Sequence, residues 1–221
     1  AIMYSTASIV FNQRAEPVIT GFSLWFVFAL CFLETVAGGS VATLLSAYLP
    51  SIVRDLAGVT PERIPGFSAL INAVFMAGWT LGGLSWGLIC DNIGRPRALA
   101  LAVGMVGIFT ILTGLLPGWG ALILFRFLSG LGVGGTLVIT TTMLSEMWPE
   151  KSRTVFIGLL SIGFPVGIFA SGTIVYLIGD WRQGFLTGLV PLCLSLLTWL
   201  MYRKTDGWNK ADTPMGNHAI F

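Results

Sequence analysis

Six long apolar stretches, separated by short breaks rich in charge, glycine or proline, dominate the pattern of the chain. They occupy residues 23–49, 68–90, 98–116, 121–144, 155–178 and 184–202. Each has about 19–27 residues, and a helix of roughly 20 apolar residues crosses the hydrocarbon core of a bilayer. Because lipid cannot hydrogen-bond to an open backbone, helix is the expected state of every stretch. The pattern predicts an all-α integral membrane protein with six transmembrane helices.

Composition narrows the class of protein further. Of the 221 residues, 55% are hydrophobic and 10% are charged, whereas soluble domains carry roughly 25% charged residues. The net charge of +2 and the absence of a basic tract argue against a nucleic-acid partner. The single histidine is His218, and no metal-ligand spacing, nucleophile elbow or phosphate loop occurs. We therefore expect no cofactor, no metal site and no enzymatic activity.

The distribution of lysine and arginine predicts the orientation in the membrane. Eight of these residues lie on one side of the predicted bundle, three lie on the other, and Arg126 lies within a helix. The eight are Arg14, Arg95, Arg97, Lys151, Arg153, Arg203, Lys204 and Lys210. By the positive-inside rule their side is cytoplasmic, and an even number of spans places both termini there. We expect a cytoplasmic N-terminal segment at 1–20, the bundle at 21–202 and a cytoplasmic tail at 203–221, in a plasma membrane or bacterial inner membrane.

Two ionisable residues, Glu34 and Arg126, fall deep within predicted spans. An isolated charge at that depth costs at least roughly 2.5–3.5 kcal/mol, so such residues usually pair or line a wet cavity. One interpretation is a polar centre for a substrate or a proton. The other is a structural ion pair between two helices, or a glutamate held neutral. Because the first and fourth helices run in opposite directions, the two residues lie at similar depth, and we expect them to share a hydrogen-bond network.

Glycine-rich segments in the first and fourth helices indicate an internal repeat. Residues 37–40 read Ala-Gly-Gly-Ser, and residues 133–136 read Val-Gly-Gly-Thr. Inverted repeats of three helices within a six-helix unit are a known plan of membrane proteins that carry solutes. The pattern predicts two inverted three-helix repeats, packed closely through glycines at four-residue spacing.

A charged motif separates the second and third predicted helices. It follows the pattern G-x-x-x-D-R-x-G-R-[RK] at Gly87, Asp91, Gly94 and Arg95, with Arg97 one position late. Gly94 allows a tight bend with positive φ. The acidic and basic side chains can form a charge latch across two helices and anchor the chain at anionic headgroups. The simpler interpretation is that the arginines are only positive-inside anchors.

Three further motifs lie at other predicted helix boundaries. The pattern R-x-x-x-G-x-G begins at Arg126, and W-R-x-x-F begins at Trp181. A loop pattern E-x-x-P-x-x-x-R is formed by Glu146, Pro149 and Arg153. Together with the charged motif, these patterns resemble the signatures of the major facilitator superfamily, in the family's order. The resemblance covers nearly the whole chain from 21 to 202 and is nearest to the sugar and metabolite–proton symporters.

The resemblance implies a fold and a function. The fold would be the N-terminal six-helix half bundle of a transporter, and the function would be secondary transport of a small polar solute or metabolite, with proton coupling as a further expectation. Glu34 would be the proton or substrate group and Arg126 its counter-charge or an anion ligand. Asp91 with Arg95 would form the cytoplasmic gate that clasps the other half of the transporter.

Family members have about twelve helices in two halves, with the substrate between them, whereas this sequence holds six. The face of the first, second, fourth and fifth helices is expected to carry Glu34 and to pack on a second membrane bundle, in addition to lipid. Three alternatives remain open. The chain is a half-size carrier completed by a copy of itself or another polypeptide, an accessory subunit of a larger membrane complex without transport activity, or a truncated product.

Overall fold

The computed structural model describes residues 21–55, 64–115 and 118–211, and these residues are helical apart from short connections. The helices are α1 (Gly21–Asp55), α2 (Ile64–Ile93), α3 (Arg95–Leu115), α4 (Trp119–Met147), α5 (Glu150–Leu177), α6 (Trp181–Phe185) and α7 (Leu189–Ala211). A 3₁₀ turn, Leu186–Gly188, joins α6 to α7, and the three elements form one span, Trp181–Met201. In these described ranges, six helical spans are therefore long and apolar enough to cross a membrane, which confirms the predicted class.

The connections are shorter than the sequence predicts. The charged turn at 91–97 shrinks to Gly94, whose φ of 88° confirms the expected tight bend. The predicted loop carrying Glu146, Pro149 and Arg153 is reduced to Trp148 and Pro149, because Glu146 lies in the last turn of α4 and Arg153 lies inside α5. Charged side chains satisfied by local partners do not interrupt a helix. Along the predicted tail, α7 continues to Ala211, whereas segment 1–20 and residues 212–221 lie outside the described residues.

The helices form two layers. The first layer contains α5, α1, α4 and α2, in which α1 and α4 contact each other, α5 packs along α1 and α2 packs along α4. Behind them lies α3, which packs on α4 and on α7. We call the side of the first layer that faces away from α3 and α7 the open face. There α2 and α5 meet through the rings of Trp79 and Phe164, whose centroids are 5.2 Å apart.

Two glycine-mediated helix crossings repeat each other. At each of them, a Cβ on the glycine would collide with a backbone carbonyl of the neighbouring helix, so only glycine permits the observed approach. The contacts are Gly39 with Phe164 and Gly167 with Val36 in the α1–α5 pair, and Gly134 with Trp79 and Gly82 with Leu131 in the α4–α2 pair. One pair has the geometry of the other, which supports the inverted repeat.

The packing corrects the register of that repeat by one residue. The sequence segments at 37–40 and 133–136 align Gly38 with Gly134. In the structure Gly39 and Gly134 make the equivalent contacts, while a Cβ on Gly38 would meet only the Val133 side chain. Four small residues match almost equally well in either register, so the sequence alone could not choose.

Polar contacts tie the helix ends that lie at Asp55. The indole Nε1 of Trp181 donates to Asp55 Oδ2 at 2.6 Å, and the Tyr48 hydroxyl donates to the Ile178 carbonyl at 2.5 Å. Tyr48 lies against Gly184, where any larger residue would displace its ring. These contacts fix the start of the sixth span against α1.

Candidate functional site

Glu34 lies on the side of α1 that faces α7. Its side chain is buried, at 1% relative exposure, and Oε1 accepts a hydrogen bond of 2.6 Å from the Thr198 hydroxyl. Within the described part of the chain, the second oxygen, Oε2, has no hydrogen-bond partner. The prediction that Glu34 belongs to the open face is therefore wrong, because α7 covers it from behind.

Arg126 lies in the core between α1, α2, α4 and α6. Its relative exposure is 2%, and Nη1 donates to the Val41 carbonyl at 3.1 Å. The rings of Phe75 and Phe185 lie 5.8 Å and 5.4 Å from the guanidinium carbon, within cation–π range. Two donors, Nε and Nη2, have no hydrogen-bond partner among the residues that the structure describes. The buried guanidinium is thus held in place through Nη1, while the edge formed by Nε and Nη2 makes no hydrogen bond to the described residues.

The two buried charges do not form the shared network expected from the sequence. Glu34 bonds to Thr198, while Arg126 bonds to the Val41 carbonyl, and both have unpaired polar atoms. Glu34 and Val41 are seven residues apart on α1, which is about 10 Å along a helix at 1.5 Å per residue. The sequence indicated a similar depth for the two charges, but about two helical turns of α1 separate Glu34 from the carbonyl that holds Arg126.

The charged motif of residues 87–97 centres on Arg95, where α2, α3 and α4 meet. Arg95 Nε and Nη2 hold both oxygens of Glu146 at 3.2 Å and 2.7 Å, and Nη1 contacts Asp91 Oδ1 at 2.9 Å. The same nitrogen lies 3.2 Å from Cys90 Sγ. Sequence reasoning paired Asp91 with Arg95 and placed Glu146 in a separate motif, so it missed the pair between Arg95 and Glu146. A signal was available, since the two motifs fall on the same predicted membrane side and Glu146 is opposite in charge to Arg95.

The remaining motif residues have separate positions. A Cβ on Gly87 would meet nothing within 4 Å among the described residues, so its small size serves no contact inside this bundle. Arg97 lies in the first turn of α3, two residues after Arg95. Pro149 caps the start of α5, and Arg153 Nε donates to the Trp148 carbonyl at 3.3 Å. Arg153 therefore secures the α4–α5 connection.

An aromatic groove on the open face carries no recognised sequence motif. The space, about 410 Å³, lies between α2 and α4, and we call it the α2–α4 groove. Its lining residues are Met76, Trp79, Thr80, Gly83, Gly134, Leu137 and Val138. No pattern in the sequence distinguishes Trp79 from a lipid-facing or core aromatic residue, which is why the groove was not predicted.

The six-helix bundle, with its glycine crossings and inverted repeat, has the architecture of one half bundle of the inverted-repeat class of membrane proteins. Comparison with known proteins agrees, because the sequence profile of the Major Facilitator Superfamily matches residues 30–220. The chain belongs to the Major Facilitator Superfamily. It is a multi-pass membrane protein, and its relatives are transporters.

Two curated relatives show the degree of similarity. The chain is 28% identical over 203 residues to the cis,cis-muconate transport protein of Acinetobacter baylyi, covering 90% of this chain and 48% of that protein. It is 30% identical over 187 residues to the 4-hydroxybenzoate transporter of Pseudomonas aeruginosa, covering 82% of this chain and 40% of that protein. The chain thus spans about half the length of the curated relatives that it matches.

Solved structures confirm the fold. A D-xylose-proton symporter superimposes with a TM-score of 0.70 at 16% identity, covering 85% of this chain and 52% of the symporter. A bacterial homolog of the human lysosomal transporter Spinster gives a TM-score of 0.69 at 20% identity, covering 82% and 43%. At these identities the likeness establishes a shared half-bundle architecture.

Proposed function

We propose that this chain is one six-helix half of a secondary carrier for a small carboxylic acid, coupled to protons and working against a second bundle. The observation that carries the proposal is Arg126, a buried cation with two unpartnered donors. Unpaired charges within a membrane are costly and mark substrate or ion pathways. Relatives named for muconate and 4-hydroxybenzoate support the same chemistry, because both compounds are carboxylates.

The free edge of Arg126 suits a carboxylate. Nε and Nη2 lie on one side of the planar guanidinium and can donate two parallel hydrogen bonds. Arg95 uses the same two atoms to hold the carboxylate of Glu146. In Arg126 this edge is empty, while Nη1 and the flanking rings fix the plane of the group. The site is therefore oriented before an anion arrives.

Glu34 is the proposed proton-carrying group. One of its oxygens accepts from Thr198 and the other has no partner, so the carboxyl can gain a proton without losing a bond. A proton travelling with an anion reduces the net charge that must cross the membrane. Glu34 shares α1 with the Val41 carbonyl that holds Arg126, and a shift of α1 would alter both contacts.

The Arg95 cluster is the proposed cytoplasmic gate. Asp91 and Glu146 keep 65% and 49% of their side-chain surface exposed, which leaves both able to contact a second bundle. We also propose that both termini are cytoplasmic and that the membrane is a plasma membrane or a bacterial inner membrane. A second six-helix bundle would cover the open face, and lipid would surround the rest.

Uptake by native-membrane vesicles tests the proposed function. Radiolabelled cis,cis-muconate, 4-hydroxybenzoate and xylose are supplied separately, with and without an imposed proton gradient. We expect gradient-dependent uptake of the acids and none of xylose. Arg126→Gln should reduce uptake about 10- to 100-fold, from the roughly 1.5–3 kcal/mol of a charge-assisted hydrogen bond, and Arg126→Lys should restore part of it. Arg182→Gln, at a side chain that stacks on Trp181, is the control.

Three outcomes would each contradict a different part of the proposed function. If vesicles that contain the chain take up no solute faster than vesicles that lack it, transport is rejected and the accessory-subunit alternative remains. Uptake of the acids that does not respond to the proton gradient or to Glu34→Gln would reject proton coupling alone. Equal loss of uptake in Arg126→Gln and Arg126→Lys, with a folded bundle by circular dichroism, would reject recognition of the anion by charge.

A further inference from the structure

Trp79 is held from two sides and open on a third. Its ring is tilted by 41° against Phe164 of α5, and it meets the Phe75 ring edge-on with centroids 6.0 Å apart. The remaining side lines the α2–α4 groove. Trp79 is half-buried, so the indole is fixed by neighbouring rings while one face stays accessible.

Glycines fix the backbone beneath this ring. The Trp79 carbonyl lies against Gly134, and the Phe75 carbonyl lies against Gly130, at distances that leave no room for a Cβ. A ring whose backbone and flanks are fixed loses little conformational entropy when a ligand packs on it. The indole is therefore a pre-organised surface.

The groove beside Trp79 selects for an apolar, flat partner. Among its lining residues only Thr80 carries a polar side chain, and its hydroxyl donates to the Met76 carbonyl at 3.0 Å. No charged residue lines the groove, so it suits the hydrocarbon part of a ligand and not its carboxylate. The volume of about 410 Å³ lies within the range of roughly 300–1,000 Å³ typical of small-molecule sites.

We propose that Trp79 is a stacking platform that selects acids with a planar conjugated body over saturated acids of the same charge. The inference rests on the proposed function and adds the residue that determines substrate class. The Phe75 ring contacts both the Trp79 ring and the Arg126 guanidinium, so the apolar and the anionic recognition elements share one neighbour. A saturated chain or ring lacks the π face that offset stacking requires.

Competition for uptake measures this selectivity. In native-membrane vesicles, uptake of labelled 4-hydroxybenzoate is inhibited with cis,cis-muconate or with adipate, the saturated counterpart of muconate. The ratio of the two inhibition constants measures the preference for the planar acid. An aromatic pair contributes about 0.5–1.5 kcal/mol beyond area burial, which predicts a preference for the planar acid of about 2- to 12-fold. Trp79→Phe should keep the preference. Trp79→Leu should bring the ratio near one while the inhibition by adipate stays unchanged.

Two further variants complete the test. Phe125→Leu removes an aromatic residue that stacks on Phe109, away from the groove, and should leave the ratio unchanged. Val138→Trp fills the groove from its exposed opposite wall and should weaken inhibition by both acids. If Trp79→Leu does not fold, Val138→Trp still tests whether the acids occupy the groove, and Trp79→Phe tests whether an aromatic ring keeps the preference.

Each result has one meaning. If Trp79→Leu keeps the wild-type preference, or if Val138→Trp leaves the inhibition by both acids unchanged, the platform is rejected while the proposed transport of acids stands. If the wild-type vesicles take up no acid, the proposed function and the platform both fail. A wild type that transports acids without any preference for planar ones rejects the platform alone.

Discussion

Two glycines on one helix allow the close crossing of α1 and α5 to be tested. A Cβ at Gly167 would collide with the Val36 carbonyl and lie 2.7 Å from the Ser40 nitrogen, whereas a Cβ at Gly172 would meet no described residue within 4 Å. Both residues lie inside α5. Gly167→Ala and Gly172→Ala therefore make the same chemical change in the same helix, in a filled and an open environment.

The expected difference follows from two opposing effects. Replacing glycine by alanine inside a helix stabilises by up to about 1 kcal/mol through backbone propensity, equally at both sites. Overpacking a filled contact costs about 1–3 kcal/mol, and at Gly167 the obstacle is backbone, which cannot rotate away. Gly172→Ala should be neutral or stabilising. Gly167→Ala should be less stable than Gly172→Ala by about 1–3 kcal/mol, the overpacking cost alone.

Reversible unfolding of the detergent-solubilised chain, followed by tryptophan fluorescence in mixed micelles of increasing SDS content, provides the measurement. The two variants are compared in the same detergent and at the same protein concentration. Gly82→Ala, at the equivalent crossing of α2 with α4, should match Gly167→Ala. Equal stability of Gly167→Ala and Gly172→Ala would show that the crossing is looser than described and would refute the reasoning.

Two other predictions concern the ends of the bundle. A cysteine at Gly66, which is exposed, should react with an impermeant maleimide from outside, and one at Lys151 should not; the reverse pattern refutes the proposed orientation. Arg95→Lys cannot hold both oxygens of Glu146, so it should lower gradient-driven uptake while changing stability by no more than about 1 kcal/mol, as for exposed ion pairs. Uptake equal to wild type in Arg95→Lys would remove the cluster from the gate.

Helix number was predictable because hydropathy reports directly on burial in lipid. Connections were not, because a polar break in hydropathy does not distinguish a loop from a helix end carrying satisfied charges. Glu146 illustrates this, since its carboxylate is held by Arg95 and α4 continues through it. Hydropathy therefore shortened α4 by its final turn.

The candidate site was predictable only in part. Buried charge identified Glu34 and Arg126, because their cost in lipid is independent of the fold. Their partners, Thr198 and the Val41 carbonyl, depend on which faces of α1, α4 and α7 meet, and no single sequence specifies that. Trp79 was missed for the same reason, since one aromatic among many has no distinguishing spacing.

The backbone contacts at Gly39, Gly82, Gly134 and Gly167 all lie near the midpoints of their helices. Contacts so placed act as a fulcrum, about which a helix can tilt while its centre stays fixed. For α5, with 28 residues, the arm on either side is about 21 Å at 1.5 Å per residue. A tilt of about 10° would move each end by roughly 4 Å, in opposite directions, with no sliding at the crossing. A tilt of this kind would open one end of a helix pair as it closes the other.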